Sequence, residues 1–204
     1  MIPDRMRIAV VARHSAFLLL LLLASCRSAA GIDPAADNFA AQPALPETRT
    51  VLETSRAAGN GMSSDVLQAA ISTSADAILN AINLRRTQEG LLPWLVESAL
   101  VEIAYERSID MAVQGYLDHA APGSDEAPWL SALQERAYFG QAAELVFATQ
   151  ESLQAVSQET LRTWFSDADH EAVLFSPVFR YAGLGLMGDG SRWIVTLIVV
   201  EGRP

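Results

Sequence analysis

The sequence predicts an α+β protein in which helices pack on a small antiparallel sheet that ends in a C-terminal hairpin. Three observations predict it. Four stretches between Asp65 and Phe165 carry apolar residues at helical spacing, and the chain then changes to a period of two, with Tyr181 to Met187 and Arg192 to Val200 as β-rich runs joined by GDGS, Gly188 to Ser191. The stretch that holds them, residues 63–204 with a core at about 75–200, suits one domain, and no internal repeat divides it.

The first helix is capped by Asp65 or Ser74 and runs to about Thr87, where Ile78, Leu79, Ile82 and Arg86 follow helical spacing and Gly90 ends it. A second helix starts near Glu97. Leu100, Ile103, Ala104 and Met111 form its apolar stripe, Glu102, Glu106 and Asp110 its polar face, and Gly115 terminates it. Pro128 opens a third, shorter helix that ends at Arg136. A fourth spans Ser152 to Phe165, with Leu153, Val156, Thr160 and Trp164 on its apolar side. Trp94, Trp164 and Trp193 lie in apolar patterns and read as core; Trp129, Tyr138, Phe139 and Tyr116 divide between core and a groove lining.

The N-terminus reads as an export signal. Arg5, Arg7 and Arg13 precede the apolar run Phe17–Ser25, which is shorter than the about 20 residues a bilayer span requires. The run closes on Leu-Ala-Ser before Cys26 and resembles a bacterial lipobox. Residues 1–25 are then a lipoprotein signal peptide, Cys26 the lipidated first residue, and 26–62 a flexible tether of small, polar and acidic residues. Acyl chains on Cys26 make the membrane a partner. Arg27 follows, rather than the Asp associated with retention at an inner membrane, so the expected place is the cell envelope, at the outer membrane if the cell has one.

Cys26 is the single cysteine, so no intramolecular disulfide forms and none is left for catalysis. The formal charge is −10, and removing residues 1–25, which hold Asp4 against three arginines, takes it to −12. All basic residues are arginine. An acidic chain without a basic stripe argues against nucleic acid as a partner.

Four segments in order carry a family resemblance: ILNAINLRRTQEGLLP (Ile78–Pro93), DMAVQGYLDH (Asp110–His119), AAELV around Glu144, and WFSDADHEAVLFSPVFRYAGLGL (Trp164–Leu186). The last places Trp164, His170, Pro177, Phe179, Gly183 and Gly185 in a gapless Trp…His…Pro-x-Phe…Gly-x-Gly pattern. Together they resemble the CAP superfamily of cysteine-rich secretory, antigen 5 and pathogenesis-related proteins, in its bacterial YkwD-like SCP-domain branch. The resemblance implies an α-β-α sandwich. It also implies a cleft where two histidines and two acids meet, which in some members binds a divalent cation.

Carried over, the cleft residues are His119, Glu144 and His170, with Asp169 or Asp167 as stand-ins for the second acid. The same three residues, His119, His170 and Glu144, are the candidate ligands for a divalent cation such as zinc. Where the family has Gly-Glu-Asn this chain has Ala143-Glu144-Leu145, and where it often has Gly-His-Arg it has Asp169-His170-Glu171. Read locally, SDADHE (Ser166–Glu171) is a polar turn whose carboxylates raise the pKa of His170. The expected function is a lipid-anchored module that binds a small ligand or an envelope protein. The alternative is a metal-assisted or acid/base hydrolase using His119, Glu144 and His170. Against it, Ser124 is the nearest serine to His119 and lacks the setting of a nucleophile elbow.

Overall fold

Alternation along the C-terminal strands produces two apolar sheet faces, and each face is covered by helices. The computed structural model describes residues 9–11, 63–124 and 127–203. Cys26, the tether and all but Ala9–Val11 of the export segment lie outside the described residues. Five strands, β1 (Ala9–Val11), β2 (Leu95–Val96), β3 (Phe139–Thr149), β4 (Tyr181–Gly188) and β5 (Trp193–Gly202), form one sheet in the order β1-β3-β5-β4-β2. Pairing is antiparallel except between β2 and β4, where a short edge strand adds a parallel pair to the expected antiparallel sheet.

The helices are α1 (Ser64–Gln88), α2 (Ser98–Gln114), α3 (Pro128–Glu135), α4 (Leu153–Trp164) and α5 (Ala168–Leu174). One face of the sheet, with Leu145, Leu184, Leu186, Val195 and Leu197, packs on Ile78 and Ile82 of α1, Val156 of α4 and Leu174 of α5. The opposite face, with Ala142, Ile198 and Val200, packs on Leu100 and Ile103 of α2 and on Trp129 and Leu133 of α3. The result is the α-β-α sandwich that the resemblance implies.

Four helices lie where the periodicity predicts them. The first begins earlier than expected, because Ser63, not Asp65 or Ser74, is the N-cap. Gly115 closes α2 in the left-handed region, at φ 72°, where glycine carries no Cβ penalty. Two elements next to the site had no signal in the sequence. The middle of β3 is buried on both faces, which erases alternation. SDADHE, read as a polar turn, is the start of α5: Asp167 caps it by accepting the N–H groups of Asp169 and His170.

Gly183 and Gly185 fix the distance between α2 and the sheet. A Cβ on Gly183 would lie 2.1 Å from the carbonyl carbon of Leu100, and one on Gly185 would lie 2.3 Å from that of Ala104. The Gly-x-Gly of β4 is therefore the seat of α2, and this close approach brings the next turn of α2 to the sheet. There the Ser108 hydroxyl bonds Thr196 Oγ1 at 2.9 Å.

Candidate functional site

The centre of the site is a carboxylate that strand geometry forces inward. On β3, Ala142, Glu144 and Val146 alternate onto the α2 face, so Glu144 is fully buried between apolar neighbours, opposite Ile198 of β5. A carboxylate placed there requires partners, since an unpaired buried charge is costly. It has two. Arg107 of α2 donates its Nε–H to Oε1 at 3.0 Å, and His119 Nδ1 meets Oε2 at 2.7 Å. A carboxylate already held by a guanidinium accepts, so Nδ1 carries the proton in this bond.

Arg107 is itself buried, at 3% side-chain exposure, and it reaches three segments of chain. Its Nη1 donates to Asp110 Oδ2 at 2.9 Å and to Tyr116 Oη at 2.7 Å, and its Nη2 donates to the Asp118 carbonyl at 2.9 Å. Tyr116 Oη in turn donates to Asp110 Oδ2. Burial works against the Arg107 charge, but Glu144 and Tyr116 outweigh it and hold the guanidinium above its ordinary range. Burial and the bond to Asp110 also raise the Tyr116 phenol. The segment that carries His119 is thus tied to α2 at two points.

The β4–β5 turn adds a third tie. Asp189 accepts from the backbone N–H groups of Ser191 and Arg192 and pairs with Arg192 Nε at 2.8 Å. Arg192 Nη2 then donates to the Tyr116 carbonyl at 3.1 Å. Asp118 Oδ1 accepts the backbone N–H of His119 itself.

His170 sits on α5 with 1% exposure, its ring tilted against Trp164 at 6.3 Å between centroids. Its Nδ1 is 3.0 Å from Asp167 Oδ1, the oxygen that also caps α5. Nε2 and the Trp164 Nε1–H are buried without a hydrogen-bond partner, as are the indole N–H groups of Trp94 and Trp129. Burial lowers the His170 pKa below its ordinary value. The carboxylates of Asp167 and Asp169 pull the other way and lose, and the nearby His119 adds to the lowering. The sequence expectation of a raised pKa is therefore overturned: local carboxylates were weighed without the desolvation that only the packed core imposes.

The predicted residues divide accordingly. His119 and Glu144 are in contact, and His170 lies close enough for His119 to disfavour its charge. Of the two stand-in acids, Asp167 approaches the His170 ring, while Asp169 stays exposed. Ser124 is exposed. Trp129 is core, and Tyr116 serves the Arg107 network. Sequence reasoning missed Arg107; its one signal was a cation at a position of α2 flanked by the apolar stripe.

As placed, His119, Glu144 and His170 do not fit a divalent cation. Both Glu144 oxygens are committed, one of them to a guanidinium. Among the described residues no group of three His, Cys, Asp or Glu side chains is arranged to hold a metal ion.

No protein-family model matches the chain. It is 24% identical over 116 residues to the YkwD protein of Bacillus subtilis, an alignment that covers 57% of this chain and 43% of YkwD. An SCP-domain extracellular protein of Bacillus anthracis superposes with a TM-score of 0.51 at 20% identity, over 63% of this chain and 40% of that one. The chain is thus similar in sequence to YkwD and shares the fold of SCP-domain proteins. An outer surface protein of Borrelia burgdorferi has the same fold, with a TM-score of 0.55 at 15% identity over 64% of this chain and 94% of that one. In this chain His119 and Glu144 are in contact, and Glu144 is tied to Arg107.

Proposed function

We propose that this CAP-superfamily chain is an exported, lipid-anchored module of the cell envelope whose His119–Glu144–His170 cleft recognises a small ligand or a partner protein. The observation that carries the reading is His170. It is a buried, neutral-leaning imidazole whose Nδ1 faces the Asp167 carboxylate at 3.0 Å and whose Nε2 has no hydrogen-bond partner, beside a Trp164 N–H that also has none. Buried polar atoms in native proteins are almost always satisfied, so His170 Nε2 and the Trp164 N–H invite a polar group supplied from outside the chain. Export and the envelope are supported by the apolar run before Cys26 and by relatives described as extracellular or outer-surface proteins. No helix of the described residues is long and apolar enough to cross a membrane.

The test compares native mass spectra of the full chain and its His170→Ala and His119→Ala variants after exposure to an envelope extract. A species carried by the parent and lost from both variants is expected. Equal retention by all three would remove the cleft from the function. For the anchor, cells fed a clickable fatty acid label the parent and not Cys26→Ala.

One observation favours acid/base hydrolysis as a second reading. Glu144 holds His119 at Nδ1 as an orienting carboxylate holds a general base. An ester panel hydrolysed by the parent and not by Glu144→Gln would establish it.

A further inference from the structure

We infer that Arg107 takes the place of a divalent cation at Glu144, so that this cleft is built to work without metal. The inference concerns the cleft proposed above and rests on that reading for its functional weight. The geometry stands by itself.

A metal in such a position would perform three tasks: neutralise the buried carboxylate, join segments distant in sequence, and fix an imidazole. Arg107 performs all three. Its Nε–H balances Glu144 at 3.0 Å. Its two Nη groups join Asp110, Tyr116 Oη and the Asp118 carbonyl, so α2 and the segment before His119 are bound to β3. The opposite Glu144 oxygen then receives His119 Nδ1 at 2.7 Å, which sets the proton on that nitrogen.

A divalent ion bound to Glu144 would approach to about 2.0–2.2 Å of a carboxylate oxygen. That would put it against a like charge which has nowhere to go. The guanidinium is 3% exposed, and its remaining N–H groups hold it in place through Asp110, Tyr116 Oη and the Asp118 carbonyl. Arginine also suits the position better than lysine, since only a planar fork of donors reaches four acceptors at once.

Calorimetric titration of the full chain with zinc tests the substitution. For the parent, any heat should be the same in His119→Ala and Glu144→Gln, the signature of uptake elsewhere on an acidic surface. Arg107→Gln, which removes the charge and frees Glu144 Oε1, should gain uptake about ten-fold or more tighter than the parent. Glu144→Gln added to Arg107→Gln should abolish the gain. Parent uptake weakened about ten-fold by Glu144→Gln would overturn the inference. So would an Arg107→Gln protein that melts cooperatively and takes up no more zinc than the parent.

Should Arg107→Gln not fold, the parent comparison still decides. It is joined by the ¹⁵N spectrum of the parent's histidines, where a His119 proton on Nε2 in place of Nδ1 would also overturn the inference. Loss of the ligand-recognition reading would show as cleft variants that retain the parent's bound species, and it leaves the zinc titration unchanged.

Discussion

At His170 burial outweighs two nearby carboxylates, and the consequence is a pH dependence of definite sign. The folded ring has a lowered pKa, whereas the unfolded ring titrates near about 6.5. Below that pH the unfolded chain binds a proton that the folded chain refuses, so stability falls as pH falls through this window and is fully present above it. Urea midpoints at pH 7.5 and pH 5 should therefore differ more in the parent than in His170→Gln; equal differences would show that His170 does not contribute. At Glu144 the prediction concerns charge. Glu144→Gln leaves Arg107 buried with only the partly exposed Asp110 as counter-charge, and should destabilise by about 3 kcal/mol in chemical denaturation. His119, Glu144 and His170 were legible in the sequence through the order of four motifs. Arg107 was not, because its pairing with Glu144 spans 37 residues and leaves no local pattern.

Helix α2 and strand β4 are in backbone contact, and the site inherits its dimensions from that contact. Gly183→Ala would push a methyl group into the Leu100 backbone, so α2 must shift, at a cost of about 3 kcal/mol or less in the usual range for overpacking. The same shift should loosen Arg107 from Glu144. Faster amide exchange along β3 around Glu144 would report it, and unchanged exchange with an unchanged melting point would mean that α2 has other room. Arg86 plays the corresponding part for α5. Buried at 1% exposure, it donates to the carbonyls of Leu92, Leu174, Ser176 and Phe179 and lies 4.5 Å from the Trp94 ring. Burial, with Arg180 nearby, lowers its pKa to about 10. Arg86→Met keeps the bulk and orphans those carbonyls, so a loss of about 3 kcal/mol is expected in urea denaturation. The sequence placed Arg86 on α1 at helical spacing, but only the packed structure turns it inward.

Over the whole molecule, the sandwich encloses its sheet between α1, α4 and α5 on one side and α2 and α3 on the other. Strand β1 lies inside the segment read as an export signal, and its contact with the rest is a three-residue pairing with Ala142–Glu144 on β3. Residues 63–204 alone should therefore melt in one cooperative transition, within a few degrees of the full chain, in circular dichroism. A broad, non-cooperative melt would mean that the first 62 residues belong to the fold. The sequence by itself determined four of the helices, the C-terminal hairpin and the glycine pair of β4, and it singled out His119, Glu144 and His170 as candidates. Each of these is encoded within a few residues, as a period, a cap or a motif. The tertiary structure decided that SDADHE is a capped helix, that Asp167 rather than Asp169 approaches His170, that burial lowers the His170 pKa, and that Arg107 holds Glu144. These depend on desolvation and on charges brought together from distant segments, neither of which exists until the chain has packed.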